Sequence, residues 1–238
     1  MKLGRIPADF GCPFPNQVTQ THPTIISCSD YVFPTPKDWP DNVHNTGYWF
    51  LDEEAGWTPP AELERFLQAG DAPVYFGFGS LGMSGVASRT IDMVLQALKQ
   101  TGRRGVLATG WSAVDQKSKI SDNVFVLESA PHSWLFPKMA AVVHHGGAGT
   151  TAAGLRAGIP SILIPFSNDQ FAWGRRVFEL GVGPRSIPQK SLTVEKLSSA
   201  INLALSVEMV SAARALVNKI GGENGADEAA KIILNTLE

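Results

Sequence analysis

The chain has 238 residues, enough for one large α/β domain or for one domain with part of another. With 44% hydrophobic and 18% charged residues, its composition excludes disordered, collagen-like and coiled-coil architectures. A formal net charge of −2 leaves no basic footprint for nucleic acid, and two cysteines, Cys12 and Cys28, cannot build a disulfide framework or a cysteine-rich metal site.

The scarcity of cysteine suits a reducing compartment. No apolar stretch approaches the ~18 residues of a membrane span, and the opening MKLGRIPADFG lacks the apolar core of a signal peptide. The expectation is a cytoplasmic protein whose membrane contact is at most peripheral.

In chain order, the first fifty residues are rich in proline (Pro7, Pro13, Pro15, Pro23, Pro34, Pro36 and Pro40). They hold one good strand candidate, at 24–33, and a second short extended piece at 43–49. Residues 60–70 read as a helix, with Pro60 near its first position and Gly70 past its end. From Ala72 onward, apolar β-branched runs (VYFGFGS, GVLATG, NVFVLES, AAVVHHGG, SILIPF and VGPRSIP) alternate with helical stretches. The helices are expected at 86–101, 148–157, 170–180 and 194–205, with a helical tail from 207 to 238 broken around Gly221-Gly222. Strands apolar almost throughout suit a parallel sheet covered on both faces. The alternation predicts an α/β fold with a doubly wound, Rossmann-like parallel sheet, with ligands at the carboxyl ends of its strands.

Two glycine loops stand out. The first, Gly77-Phe78-Gly79-Ser80-Leu81-Gly82, follows a strand and precedes a helix, and so satisfies G-x-G-x-x-G. A dinucleotide site also needs an acidic residue at the end of the next strand; Thr109, Gly110 and Trp111 stand there, so that fingerprint is incomplete. The second loop, His144-His145-Gly146-Gly147-Ala148-Gly149-Thr150-Thr151, sits where a strand ends and a helix begins. Glycines let the backbone approach an anion, the helix N-terminus offers unpaired N–H groups, and Thr150, Thr151 and His145 add donors. Such a cradle suits a diphosphate. Close helix–sheet packing accounts for Gly154 and Ala157, but not for two histidines at a strand end. Neighbouring strand residues point to opposite faces, so His144 and His145 are not expected to share a metal ion. Farther on, Asp169 and Gln170 at another strand end can read the hydroxyls of a sugar ring; capping of the next helix by Asn168 or Asp169 explains them equally well.

Taken together, Ser129-Ala130-Pro131-His132, then HHGGAGTT, then Asp169-Gln170 resemble the donor-binding signature of family 1 glycosyltransferases. HHGGAGTTAAGLRAGIP is similar to sterol glucosyltransferases and bacterial antibiotic glycosyltransferases, and FPTPKDWP (33–40) with TGYW (46–49) looks sterol-glucosyltransferase-like. The resemblance implies one half of a GT-B fold: residues 1–50 would be a remnant of an N-terminal acceptor domain with the interdomain segment, and 51–238 the nucleotide-sugar donor domain. It further implies diphosphate contacts from Ser80, His145, Gly147, Ala148, Gly149 and Thr150, and sugar contacts from Asp169 and Gln170. The base would lie near Ala130, bounded by Trp111 or Val124. Plant members stack a tryptophan at the position of Ser129, so here Trp111 is either the displaced stacking partner or a plug at a strand end. The implied reaction is inverting transfer of a hexose, glucose, from a UDP-sugar to a hydroxyl of a sterol or similar lipophilic acceptor. The alternatives are the donor half of an enzyme acting on a polyketide, macrolide or lipid-linked sugar, and a non-catalytic UDP-sugar-binding module. No cofactor or metal is expected, and the catalytic base would come from the N-terminal acceptor domain, in cis or in trans.

Overall fold

The computed structural model describes residues 23–51, 57–78, 86–108 and 121–237. The chain divides into two compact units, one comprising residues 51–221 and the other the residues up to 50 together with those from 222 onward.

In the smaller unit, β1 (Thr24–Ile26) and β2 (Val43–Asn45) pair in parallel. The strand expected over 24–33 stops early because the chain turns back on itself: the amides of Val32 and Phe33 both donate to the Ser29 carbonyl at 2.9 Å.

The larger unit runs α1 (Ala61–Gln68), β3 (Val74–Gly77), α2 (Val86–Thr101), β4 (Gly105–Ala108), β5 (Val124–Leu127), α3 (His132–Leu135), β6 (Ala141–His144), α4 (Ala148–Arg156), β7 (Ser161–Leu163), α5 (Gln170–Glu179), α6 (Val194–Ala204) and α7 (Val207–Ile220). Its five strands form a wholly parallel sheet in the order β5-β4-β3-β6-β7. Successive side chains of a strand face opposite sides, and both sides are covered. Val74 and Phe76 of β3 pack with Val94, Ala97 and Leu98 of α2 and with Leu197 and Ile201 of α6. Tyr75, between them, faces the other way, into a cluster with Leu63 of α1, Leu135 of α3, Phe136 and Val142. This two-sided burial is why the strands carry apolar runs rather than an alternating pattern. Each fully buried Leu or Ile in these layers contributes about 1.5–3 kcal/mol. Gly154 brings α4 onto the sheet, since a Cβ there would lie 2.7 Å from Ser161 Oγ and 3.1 Å from Val142 Cγ2.

Two expectations change. The run VGPRSIP forms no strand: it lies along the β7 side with only spaced bonds, Ser161 N to Val182 O at 3.0 Å and Ile187 N to Leu163 O at 2.9 Å. Pro184 and Pro188 lack the N–H groups a continuous ladder requires. The last helix, α8 (Gly225–Leu237), was expected to continue the donor domain but falls in the smaller unit. There Ser29 Oγ donates to Glu223 Oε1 at 2.7 Å, and a Cβ on Gly225 would meet the Gly47 and Tyr48 backbone at 2.6 Å. No single helix among the described residues is long and apolar enough to cross a membrane.

Candidate functional site

The strand order reverses at the boundary between β3 and β6. From β3 the chain builds outward through β4 and β5, then returns to place β6 and β7 on the other side. In doubly wound sheets the crevice at the carboxyl ends of such a pair is where ligands bind. Here Gly77 of β3 stands opposite His144 of β6, so the two glycine loops leave from adjacent strand ends. Of the first loop, Gly77 and Phe78 are described; Ser80 lies outside the described residues, as does Trp111.

The second loop is built by its glycines. Gly146 adopts φ +94, a left-handed conformation that L side chains rarely take, and a Cβ there would sit 3.0 Å from Leu163 Cδ2 and 3.2 Å from the Gln170 carbonyl. Gly147 then occupies the N-cap position of α4, extended at φ −65 and ψ 145, and no side chain caps the helix. The first intrahelical bond runs from Thr151 N to Gly147 O at 2.9 Å. The amides of Ala148, Gly149 and Thr150 therefore have no acceptor within the helix. Ala148 and Gly149 are exposed and Thr150 is half-buried. Thr151, read as a further hydroxyl donor to the ligand, is fully buried and gives its hydroxyl to the Gly147 carbonyl at 2.9 Å.

His145 is half-buried and folds over this loop: a Cβ on Gly147 would lie 2.6 Å from its Nε2. Desolvation holds its imidazole below the usual histidine range, and the Asp169 carboxylate partly opposes that shift. In the free protein the ring is thus a neutral donor, and an arriving anion would favour its protonation. The fold brings the histidine loop and the Asp169-Gln170 turn together, since a Cβ on Gly146 would lie 3.2 Å from the Gln170 carbonyl and 3.4 Å from the Gln170 Cβ.

Asp169 is exposed at the N-cap position of α5, but its side chain makes no capping bond, so capping does not account for it. Asn168 beside it takes φ +51 to make the turn. Gln170 is buried, and its Oε1 accepts the amides of Phe166 at 2.7 Å and Ser167 at 3.2 Å. That oxygen is committed to the turn, which leaves only the NH₂ group to donate to a sugar.

Ala130 is half-buried and packs against the cluster around Tyr75. Sequence reasoning passed over Tyr75, whose phenol crosses the space a Cβ on Gly77 would need and stands edge-on to Phe136 at 5.0 Å and His132 at 6.0 Å. The signal was available, since residues 75 and 77 share a strand face and the second has no side chain. Burial pushes the Tyr75 hydroxyl up to about 12, so it keeps its proton. Val124, offered as a boundary of the base site, opens β5 at the amino end of the sheet and packs in the cluster beneath α2. It is at the wrong end of its strand for that role. Among the described residues no three His, Cys, Asp or Glu side chains gather as a metal site. A groove of about 630 Å³ between α5 and α6, lined by Phe178, Ile187 and Leu203 among others, contains none of these site residues.

Residues 92–237 match the model of the erythromycin biosynthesis protein CIII-like C-terminal domain. A sterol 3-beta-glucosyltransferase of Arabidopsis thaliana is 42% identical over 209 residues, covering 88% of this chain and 33% of that protein. A sterol 3-beta-glucosyltransferase of Aspergillus clavatus is 40% identical over 236 residues, covering 94% of this chain and 16% of that protein. The chain thus spans only part of the length of either relative. Among solved structures, a calicheamicin glycosyltransferase superposes with a TM-score of 0.71 at 22% identity, over 90% of this chain and 52% of that one. The glycosyltransferase of kitacinnamycin gives 0.70 at 23% identity, over 91% and 55%. These last two fix the fold as one half of the GT-B arrangement.

Proposed function

Because the chain belongs to the family of erythromycin biosynthesis protein CIII-like C-terminal domains, we propose that it is the donor-binding half of an inverting glycosyltransferase that moves a hexose, glucose, from a UDP-sugar to a hydroxyl of a sterol or similar lipophilic acceptor. The observation that carries the reading is the open N-terminus of α4, set at the switch point with His145 folded over it. As the acceptor hydroxyl attacks the anomeric carbon, negative charge gathers on the departing nucleoside diphosphate. The amides of Ala148, Gly149 and Thr150 and the ring of His145 are the donors that meet it. Groups fixed in place before charge develops need no reorganisation, and each such donor is worth ~3–4 kcal/mol of barrier. Asp169, exposed and uncommitted to the helix, receives hexose hydroxyls, while Gln170 donates through its nitrogen. The acceptor pocket and the base that takes the hydroxyl proton belong to an N-terminal acceptor domain, supplied in cis or in trans.

A sterol acceptor is favoured over a macrolide or polyketide by the 40–42% identity to sterol 3-beta-glucosyltransferases, against 22–23% for the antibiotic glycosyltransferases. Calorimetric titration with UDP, UDP-glucose and NADH tests the donor site. UDP and UDP-glucose should bind, with no loss in EDTA, and Asp169→Ala should weaken UDP-glucose while barely changing UDP. Binding of NADH but not of UDP would return the first glycine loop to a dinucleotide role and end this proposal.

A further inference from the structure

Of the two adjacent histidines, His144 has no accessible surface and closes β6 on the same face as Val142. Its Nδ1 accepts the backbone N–H of Gly146 at 3.1 Å. A ring nitrogen that accepts carries no proton, so the proton of the neutral ring is on Nε2. That nitrogen has no hydrogen-bond partner among the described residues. Burial, reinforced by His145 and His132, lowers the ring to about 3, so it stays neutral at ordinary pH.

As packing material this histidine is a poor choice. A leucine would bury no unpaired donor, and a buried unpaired donor is costly. What histidine supplies and leucine cannot is an acceptor aimed at the Gly146 amide. Gly146 is the residue whose left-handed turn takes the chain from β6 into α4, pressed against Leu163 and Gln170. Without an acceptor its buried N–H would favour conformations in which it turns toward water.

We propose that His144 is a positioning residue for the anion loop: by holding the Gly146 N–H it fixes the turn that lays Gly147 and the first amides of α4 across the switch point. The proposal rests on the reading of those amides as the diphosphate site.

The test compares two carboxamides in the full chain. In His144→Asn the side-chain oxygen is as many bonds from the backbone as Nδ1 and can accept the same N–H. In His144→Gln it is one bond farther out and cannot. UDP affinity is measured by calorimetry and hydrogen exchange of the Gly146 amide by NMR. His144→Gln should weaken UDP about tenfold, the scale of one lost buried hydrogen bond, and speed exchange at Gly146. His144→Asn should restore both to near the native values. If the glutamine variant does not fold, His144→Leu takes its place in the comparison. Native affinity and native exchange in the variant without an acceptor, or equal losses in both variants, would overturn the proposal. If the unmodified chain fails to bind UDP, the diphosphate reading falls, but the exchange comparison at Gly146 still decides whether His144 holds the turn.

Discussion

Helices α4 and α6 begin in opposite ways. At α6, Thr193 is extended at the N-cap and its hydroxyl accepts the Lys196 amide at 3.3 Å; α7 is closed likewise by Ser206, which accepts from Met209 at 3.3 Å. At α4 the N-cap is Gly147, with no side chain to offer, and the next two residues are exposed. A threonine cap satisfies one orphan amide and stabilises its helix by about 1 kcal/mol. Glycine at the N-cap forgoes only roughly a few tenths of a kcal/mol of that, and it leaves the α4 donors open at the strand ends where doubly wound sheets take ligands. Helices α1 and α5 also begin without a side-chain cap, so what sets α4 apart is the place of its open amides, at the carboxyl ends of the strands where the sheet order reverses.

The largest effect should follow from filling the turn that precedes α4. Gly146→Val would force a β-branched residue into φ +94 and press it on Leu163 and the Gln170 carbonyl. A left-handed conformation costs an L residue roughly 1–2 kcal/mol, and overpacking adds about 1–3 kcal/mol. Chemical denaturation should show most of that loss, with UDP binding abolished. A variant as stable as the native protein would mean that the turn is not the fixed element described.

Next in size is His145→Ala, expected to weaken UDP about 10–100-fold, the worth of a hydrogen bond to a charged group. Stability should hardly change, because the imidazole Nδ1 is already buried without a partner among the described residues. The same residue predicts a pH dependence. Its free-state pKa is held below the usual histidine range by desolvation, and a bound diphosphate raises it. Binding then takes up a proton, so affinity is greatest below the free-state pKa and is lost as pH rises through the bound-state value. UDP-glucose is the probe, because its phosphates carry no proton in that window. A flat profile in the native protein, or one that His145→Gln leaves unchanged, would remove His145 from the diphosphate.

How much of this was legible in the sequence depends on how local the cause was. Helix α2 runs over 86–101, as its periodicity predicts, and the break before α4 was marked by its glycines. The four-residue α3 carries too few residues for a period to show, and it sits between Pro131 and Pro137. The 182–188 run has strand composition, but its two prolines decide against a ladder only when a neighbouring strand must be hydrogen-bonded. At the site, the glycine loop could be read from residue type. That Gln170 spends its oxygen on the amides of 166 and 167, and that Asp169 opposes the desolvation of His145, depend on how β7 and α5 fold back against α4. Contacts made by folding leave no spacing to read.

The control for the opening comparison is Thr193→Ala. It should cost about 1 kcal/mol of stability and leave UDP affinity where it was, since α6 starts away from the switch point. A matching loss of UDP binding would show that the two helix starts are not independent.

The smallest effect is the most discriminating, because stability and binding should move apart. Gly149 lies in the first turn of α4, and a Cβ there meets nothing within 4 Å. In a helix interior glycine is less favourable than alanine by about 0.5–1 kcal/mol, so Gly149→Ala should leave the melting temperature unchanged or raise it slightly. Side chains of a helix lean toward its N-terminus, however, so the new methyl would project toward the open amides, into space a diphosphate would occupy. UDP affinity should fall several-fold in a protein that is no less stable. If the glycine were there only to let the helix approach the sheet, as at Gly154, alanine would instead meet side chains and lower stability. Unchanged affinity with raised stability would mean that no ligand comes within reach of residue 149, and that α4 is uncapped for a reason other than anion binding.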